Sequence, residues 1–563
     1  MTRKLTLDLG LRYDYSAYAY GDQYGRSPNF APNLPNPTAD GRLGAVTYES
    51  GCHCSFAKGY PWGFGPRLGM AYQVAPKTVV RGGFAIVNSS VGLTGQPGSA
   101  NANNPLGPSP VPGQPLTTWG QGVTVNGAPL TLSQIAWPNF SPGYYPIQGI
   151  IPGQGPQIYD PNGNRPARQY QWSFSIQREV FPNLLVEASY IGNRGIWWPL
   201  TGTAAPVPSP TMITNATLTS YNYLSTSILN ANGLSLNNPA DLATLLAPIG
   251  SPAAGRFQNK LPFSNFPLTA TVAQSLRPYP QFNTGLNVIN APLGDTWYDS
   301  LQLSANKRLS HNLLATFGFT WAKALDTFGG TRDVQSLSLA KAVAQLDQPF
   351  VTRFSSTYTV PKWGPQKISY LLSGWFLNGF AYYASGIPLL AALANASGYP
   401  ATLATATISN LTFQPGQYQL PVPGQPLYLK DLNCRCFDPN TTFVLNPAAW
   451  TNPAPGQYGG APYNTGLRQE RRPVENVAMG RQFRFKERVS LNLRVEFQNI
   501  FNRTYLNNPS VVSPQTAPVC KLPSGANGAC SAGEPIISGF GSISTSSVPY
   551  QPRSGQLVAQ FVF

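Results

Sequence analysis

Residues 489–498 constrain this chain more than any other segment. Val489, Leu491, Leu493, Val495 and Phe497 alternate with Ser490, Asn492, Arg494, Glu496 and Gln498. Successive side chains of a strand point to opposite faces, so this run carries one apolar face and one polar face. Segments of the same kind lie at about 5–13, 67–74, 78–87, 170–177, 186–190, 300–309, 313–321, 353–360 and 370–384, then in a stretch ending near 485 and again at 555–563. A single such strand fits a soluble sandwich equally well. About twelve, each near ten residues long, match strands that cross a bilayer at a tilt.

The connections carry the next constraint. Ala75–Lys77, Phe181–Asn183, Ser310–Asn312, Pro361–Pro365 and Phe485–Arg488 are short turns, each joining one strand to the next. Between these hairpins lie long segments near 16–65, 88–167, 193–296, 325–350, 385–472 and 503–553. Short turns at one end and long loops at the other are the asymmetry of a bacterial barrel, whose strand number is even. The expected fold is therefore all-β: an antiparallel transmembrane outer-membrane β-barrel with long extracellular loops and a periplasmic C-terminus. Such long loops usually serve a function or are disordered. Here they are rich in Pro, Asn, Ser, Gly and Tyr, as at Gly143–Ile147 and Arg277–Phe282, which suits either ligand capture or a protective canopy.

Composition removes several alternatives. Charged residues are 10% of the chain, well below the roughly 25% of ordinary soluble domains. No apolar run reaches the ~18 residues of a membrane-spanning helix. The net charge of +16 invites a nucleic-acid partner, but Lys and Arg are scattered and no nucleic-acid module signature is present, so none is expected. The densest basic run, Arg468 to Arg472, reads as a solvated rim or as a site for anionic lipopolysaccharide or an anionic substrate. No phosphate loop, nucleophile elbow or zinc-protease helix occurs. Glu187 and Glu496 raise the thought of a hydrolase, yet Arg494 and Glu496 share one strand face, where an ion pair is the simpler account. No enzyme activity and no cofactor are expected.

The polar faces nominate Arg12, Asp14, Arg81, Gln171, Glu187, Gln302, Arg308, Arg494 and Glu496 as lumen-lining residues. Phe561 and the terminal Phe563 read as an outer-membrane assembly signal for the barrel-assembly machinery. Six cysteines, Cys52, Cys54, Cys434, Cys436, Cys520 and Cys530, all fall in the long loops, although they played no part in placing the strands. Their even number and local spacing fit disulfides formed after export. A thiolate metal site from Cys52, His53 and Cys54 with Cys434 and Cys436 is the lesser alternative, because this spacing is not that of a zinc knuckle. His311 sits in a tight turn and reads as a polar turn residue. The segment from Met1 to Gly10 already alternates and holds no signal-peptide core, so a fragment or a mis-started frame is expected.

Several segments, in order, resemble the C-terminal barrel of Oar-like TonB-dependent outer-membrane receptors. They are Phe64–Gly69 with Val80–Phe84, Glu187–Gly195, Tyr298–Ser304 with Phe319–Asp326, Gly374–Trp375 through Ser385–Pro388, Arg494–Asn502, Phe540–Ile543, and Pro552–Arg553 leading to Phe563. Each is weak alone; their order and spacing cover nearly the whole chain. The resemblance implies a barrel of about 22 strands, plugged by an N-terminal domain, driven by the TonB system and importing a solute. On that reading residues 1–563 are the C-terminal portion of the barrel, without signal peptide, plug or regulatory-like domain. Outer-membrane lipid and lipopolysaccharide would surround it. A passive porin-like channel and a surface structural or adhesive protein are the alternatives.

Overall fold

A computed structural model describes residues 4–16, 28–36, 39–48, 55–89, 123–125, 128–130, 157–159, 161–199, 224, 226–235, 238–264, 266–282, 287–289, 292–327, 341–361, 365, 373–392, 418–434, 436–452, 460–486, 489–546 and 552–563. Twelve strands form one continuous sheet in chain order. They are β1 (Leu5–Ser16), β2 (Tyr60–Ala75), β3 (Thr78–Asn88), β4 (Arg168–Phe181), β5 (Leu184–Pro199) and β6 (Pro292–Ser310). They continue as β7 (Leu313–Asp326), β8 (Phe350–Thr359), β9 (Trp375–Ala384), β10 (Val474–Lys486), β11 (Val489–Gln498) and β12 (Ser554–Val562). Every neighbouring pair is antiparallel, as expected from the hairpins, and a two-residue strand, Ala342–Val343, adds to the loop end of β7. Among the described residues no strand pairs β1 with β12.

The register carries the alternation from strand to strand. Leu9 lies opposite Leu68, Leu68 opposite Phe84, and Phe84 opposite Trp172. Further along, Tyr190 opposes Leu301, Leu301 opposes Trp321, and Trp321 opposes Phe350. Leu377 then links Tyr358 to Met479, and Val495 links Met479 to Leu557. Most of these side chains are exposed; Leu9 and Leu557 keep 72% and 74% of their surface. Such a contiguous apolar face on a soluble protein would drive association, whereas in a bilayer it meets hydrocarbon. No described helix is long and apolar enough to cross a membrane.

The short turns use residues that tolerate left-handed backbone. Lys77 and Asn183 have φ of 67° and 68°, and His311 and Asn312 have φ of 51° and 61°. Two consecutive positive φ values give the primed turn whose twist matches a strand pair, so His311 is a turn residue as expected. Residues 487–488 and 362–364 of the other short connections, and Tyr370 of the expected ninth strand, lie outside the described residues.

At the loop end the strands run further than their alternation suggests. β2 begins at Tyr60 rather than near 67, and β6 at Pro292 rather than near 300. Crossing hydrocarbon takes about 9–11 tilted residues, whereas β6 has 19. In the excess the period-2 signal lapses, as in Gly294, Asp295 and Thr296, so alternation does not mark these strand ends.

Two loop regions have buried cores of their own. In the first, the hairpin Pro28–Asn36 with Arg42–Tyr48 packs on a helical segment spanning residues 226–282. Phe30 meets Tyr279 and Phe282 edge-on at 5.0 and 5.4 Å. Helix Pro239–Leu246 starts with Pro at its first turn, is capped by Asn238 Oδ1 accepting from the Ala240 amide (3.0 Å), and buries Leu242 and Leu245. Gly44, at φ 100°, leaves space that Tyr279 fills; a Cβ there would lie 2.4 Å from the ring. The second core joins the loop after β9 to the loop after β11, with Val444, Leu445, Trp450, Leu467, Phe540 and Ile543 buried together.

Candidate functional site

The nine residues nominated for the lumen occupy six strands, and the structure does not draw them into one cluster. Gln302 opposes Ser189, Ser189 opposes Ser175, and Ser175 opposes Arg81, which makes a polar row across four strands. One step toward the turns, Glu187 opposes Gln177 and Ser304 and accepts from Ser189 Oγ (3.0 Å) and Gln177 Nε2 (3.4 Å). Gln171 lies opposite Ala85 and Asn193 and donates to Gln169 Oε1 (3.1 Å). Arg12 pairs with Asp14 at 2.9 Å on β1, and Arg494 pairs with Glu496 on β11, where Gln556 also donates to Glu496. Arg308 sits at the turn end, beyond the last regular pair at Lys307, with its amide donating to Asn183 O (2.8 Å). All nine lie on the face opposite the apolar one, dispersed along it.

The loop end holds a tighter arrangement that sequence reading missed. Asp347, with its side chain 1% exposed, pairs with Arg468 at 2.6 Å and Lys323 at 3.7 Å, and accepts from the Ala324 amide at 2.7 Å. Arg468 also donates to Asp347 O (2.8 Å) and Gly386 O (3.0 Å). Tyr428 donates to Arg468 O (2.5 Å) and accepts from its amide (2.6 Å), and burial pushes the phenol up to about 12. Nearby, Arg503 pairs with Glu475 at 2.9 Å, and that hydrogen-bonded carboxylate raises the guanidinium above its ordinary value. The run Arg468 to Arg472 is therefore a junction between loops and not a solvated rim. Arg471 donates to Asn433 Oδ1 (3.1 Å), Arg472 to Leu506 O (3.1 Å), and Glu470 accepts from the Leu506 amide (2.6 Å). Only a paired Asp, Glu or carbonyl group tells such a run from a solvated one, and those partners lie in other loops.

A cavity of about 680 Å³ opens beside this junction, lined by Phe350, Tyr383, Glu470, Arg471, Arg503 and Tyr505, among others. Phe350 and Tyr383 belong to the apolar face of β8 and β9, so the cavity opens on the side away from the polar face. None of the nine polar-face residues lines it.

Cys434 is bonded to Cys436 and Cys520 to Cys530, both in loops. A thiolate site using Cys434 and Cys436 is thus replaced by a disulfide; Cys52, His53 and Cys54 lie outside the described residues. Among the described residues no group of three His, Cys, Asp or Glu is placed to hold a metal. Phe561 opposes Leu491 and stacks on Phe485 at 6.5 Å, and Phe563 is 93% exposed.

A family model described as "outer membrane beta barrel domain" matches residues 1–556. No curated protein matches the sequence. Among solved structures, the chain is similar to the pyoverdine outer-membrane receptor FpvA of Pseudomonas aeruginosa bound to pyoverdine, at 9% identity and a TM-score of 0.37, covering 100% of this chain and 40% of that one. It is similar to the FrpB iron transporter of Neisseria meningitidis at 9% identity and 0.35, covering 100% and 44%. It is similar to the copper transporter OprC at 12% identity and 0.34, covering 100% and 46%. The chain thus spans less than half the length of each.

Proposed function

Because the chain belongs to the outer membrane beta barrel domain family, we propose that it is the C-terminal barrel portion of an Oar-like, TonB-dependent receptor that imports a solute across the outer membrane. One observation carries the reading: twelve consecutive strands keep an apolar face and a polar face in register, with every long connection at one end. In this reading the apolar face meets lipid and the polar face that carries Arg81, Glu187, Gln302, Arg494 and Glu496 lines the lumen. The loops face outward and capture the solute, and the C-terminus lies in the periplasm, with Phe561 and Phe563 presented to the barrel-assembly machinery. The resemblance implies about 22 strands, so about ten more would complete the wall. An edge left open in lipid leaves backbone groups without partners, which is costly. Energy would come from the TonB system through a plug, and the chain itself would perform no covalent chemistry.

A second reading, a surface structural or adhesive protein, is favoured by the loops' own buried cores, which fold two loop regions around apolar side chains. The genomic frame upstream of Met1 tests the first reading. It is expected to encode a signal peptide, a plug and the remaining strands. A promoter and a stop codon directly before Met1 would replace it with a small closed barrel, to be assayed for porin-like conductance in a planar bilayer.

A further inference from the structure

At the loop end of the apolar face, the cations divide into two kinds. Arg194 has Asp295 at 3.1 Å, Arg468 and Lys323 share Asp347, and Arg503 has Glu475. Arg165 and Arg168 have no carboxylate among the described residues. Instead both guanidinium groups lie against one indole, 4.5 and 4.8 Å from the ring centre of Trp197, and 5.6 and 6.0 Å from that of Tyr60. Arg168 is oriented by Asn88 Oδ1 (3.1 Å), Tyr60 Oη (3.2 Å) and Trp62 O (2.8 Å). Nε of Arg165 is buried with no hydrogen-bond partner, and the guanidinium stacks on both rings. Two like charges held on one aromatic pair repel each other until an anion joins them.

From this geometry we propose that Arg165 and Arg168, on the platform of Trp197 and Tyr60, bind the phosphate of an anionic lipid headgroup in the outer leaflet. The inference rests on the apolar face meeting lipid and on the long loops facing outward; it needs neither TonB nor a transported solute. Position along the strand supports the lipid source. On β4 one file runs Arg168, Tyr170, Trp172, Phe174, Ile176 and Arg178. Ten residues at ~3.4 Å each span ~34 Å, or ~26 Å of depth at a tilt near 40°, against an apolar band ~25 Å tall. The two arginines thus bracket the hydrocarbon, with Tyr170 and Trp172 as the aromatic girdle beneath Arg168. A pair of planar guanidinium forks suits a phosphate monoester, and lipopolysaccharide carries such phosphates.

The test uses the refolded full chain in phosphatidylcholine nanodiscs, with purified lipopolysaccharide, the same lipid stripped of phosphate, or inorganic phosphate as probes. Binding is read by native mass spectrometry and tryptophan fluorescence. Lipopolysaccharide is expected to bind at least tenfold more tightly than its dephosphorylated form, and R165Q/R168Q is expected to lose that preference. Equal binding of the two lipids to the unaltered protein overturns the proposal, even if the double variant fails to fold. Inorganic phosphate competing at the concentration of the lipid also overturns it, because the site would then hold a free anion. R165Q alone removes one of the two stacked guanidinium groups, and a folded R165Q that keeps the full preference overturns the pairing of the two arginines.

Discussion

The sheet and the loop regions bury their apolar residues in opposite senses. On the sheet, Leu9, Leu68, Trp321 and Leu557 are exposed, and the register lines them up on one face. In the loops, Phe282, Leu245, Ile249, Leu445 and Leu467 are fully enclosed. One chain thus meets two solvents. The sheet is held by backbone pairing and by lipid against its outer face, whereas the loop regions rely on the hydrophobic effect in water, as any soluble domain does. The two should therefore answer differently to the same kind of substitution.

The largest expected effect is in a loop core. Phe282→Ala removes a ring packed on Phe30 and should cost about 3–5 kcal/mol. Hydrogen exchange is expected to rise in 28–48 and 226–282 while the sheet keeps its protection and its heat-modifiable mobility on a gel. Unfolding of the sheet in step with the loop would break the comparison. The next effect reverses the polarity. Leu303 lies on the apolar face between Ala188 and Phe319, and Leu303→Arg should cost about 2–4 kcal/mol near the bilayer midplane. Ser304→Arg, one residue along on the polar face, should cost much less in the same urea titration in vesicles. Equal costs would mean that the two faces do not differ in solvent.

Proton linkage sharpens the contrast at the junction between loops. The Tyr428 phenol is raised to about 12 by burial. A raised value favours the protonated form in the folded state, so its contribution is complete below pH 10 and is lost as pH rises from 10 toward 12. Two pH units correspond to roughly 2–3 kcal/mol. Base titration should loosen the contact between residues 428 and 468, seen by hydrogen exchange, before the sheet responds. Tyr428→Phe should abolish that step, and persistence of the step in the variant would assign it elsewhere.

How much was legible in the sequence follows from the same division. Strand pairs such as β6 and β7 announce themselves locally, because Leu301, Leu303 and Ala305 alternate within one run and the Ser310–Asn312 turn follows at once. All twelve strands and the grouping of the polar residues on one face were readable in this way. The loop cores were not. Phe30 finds Tyr279 and Phe282, and Asp40 accepts from the Ser264 amide and hydroxyl across 224 residues of chain. No periodicity marks such pairs. Asp347 gave no signal either, being a single acid in a loop, and without it Arg468 reads as solvated. Arg165 and Arg168 stand apart in the opposite sense, since only the structure reveals that nothing acidic among the described residues answers them.

The smallest expected effect tests whether the polar face is wet. Arg494 and Glu496 pair along one strand, and their side chains stay 44% and 29% exposed. An exposed pair of this kind contributes about 0–1 kcal/mol, because water and salt screen it. Arg494→Gln should therefore leave urea stability within about 1 kcal/mol of the parent, in contrast to Leu303→Arg. A loss of several kcal/mol would mean that this face is packed against protein and excluded from water, as a breached buried pair requires. Should the barrel conduct ions, the same substitution should shift its selectivity toward cations, because it removes a fixed positive charge beside Glu496. Unchanged stability with shifted selectivity is the combination expected of a water-filled lining, and no loop-core substitution should reproduce it.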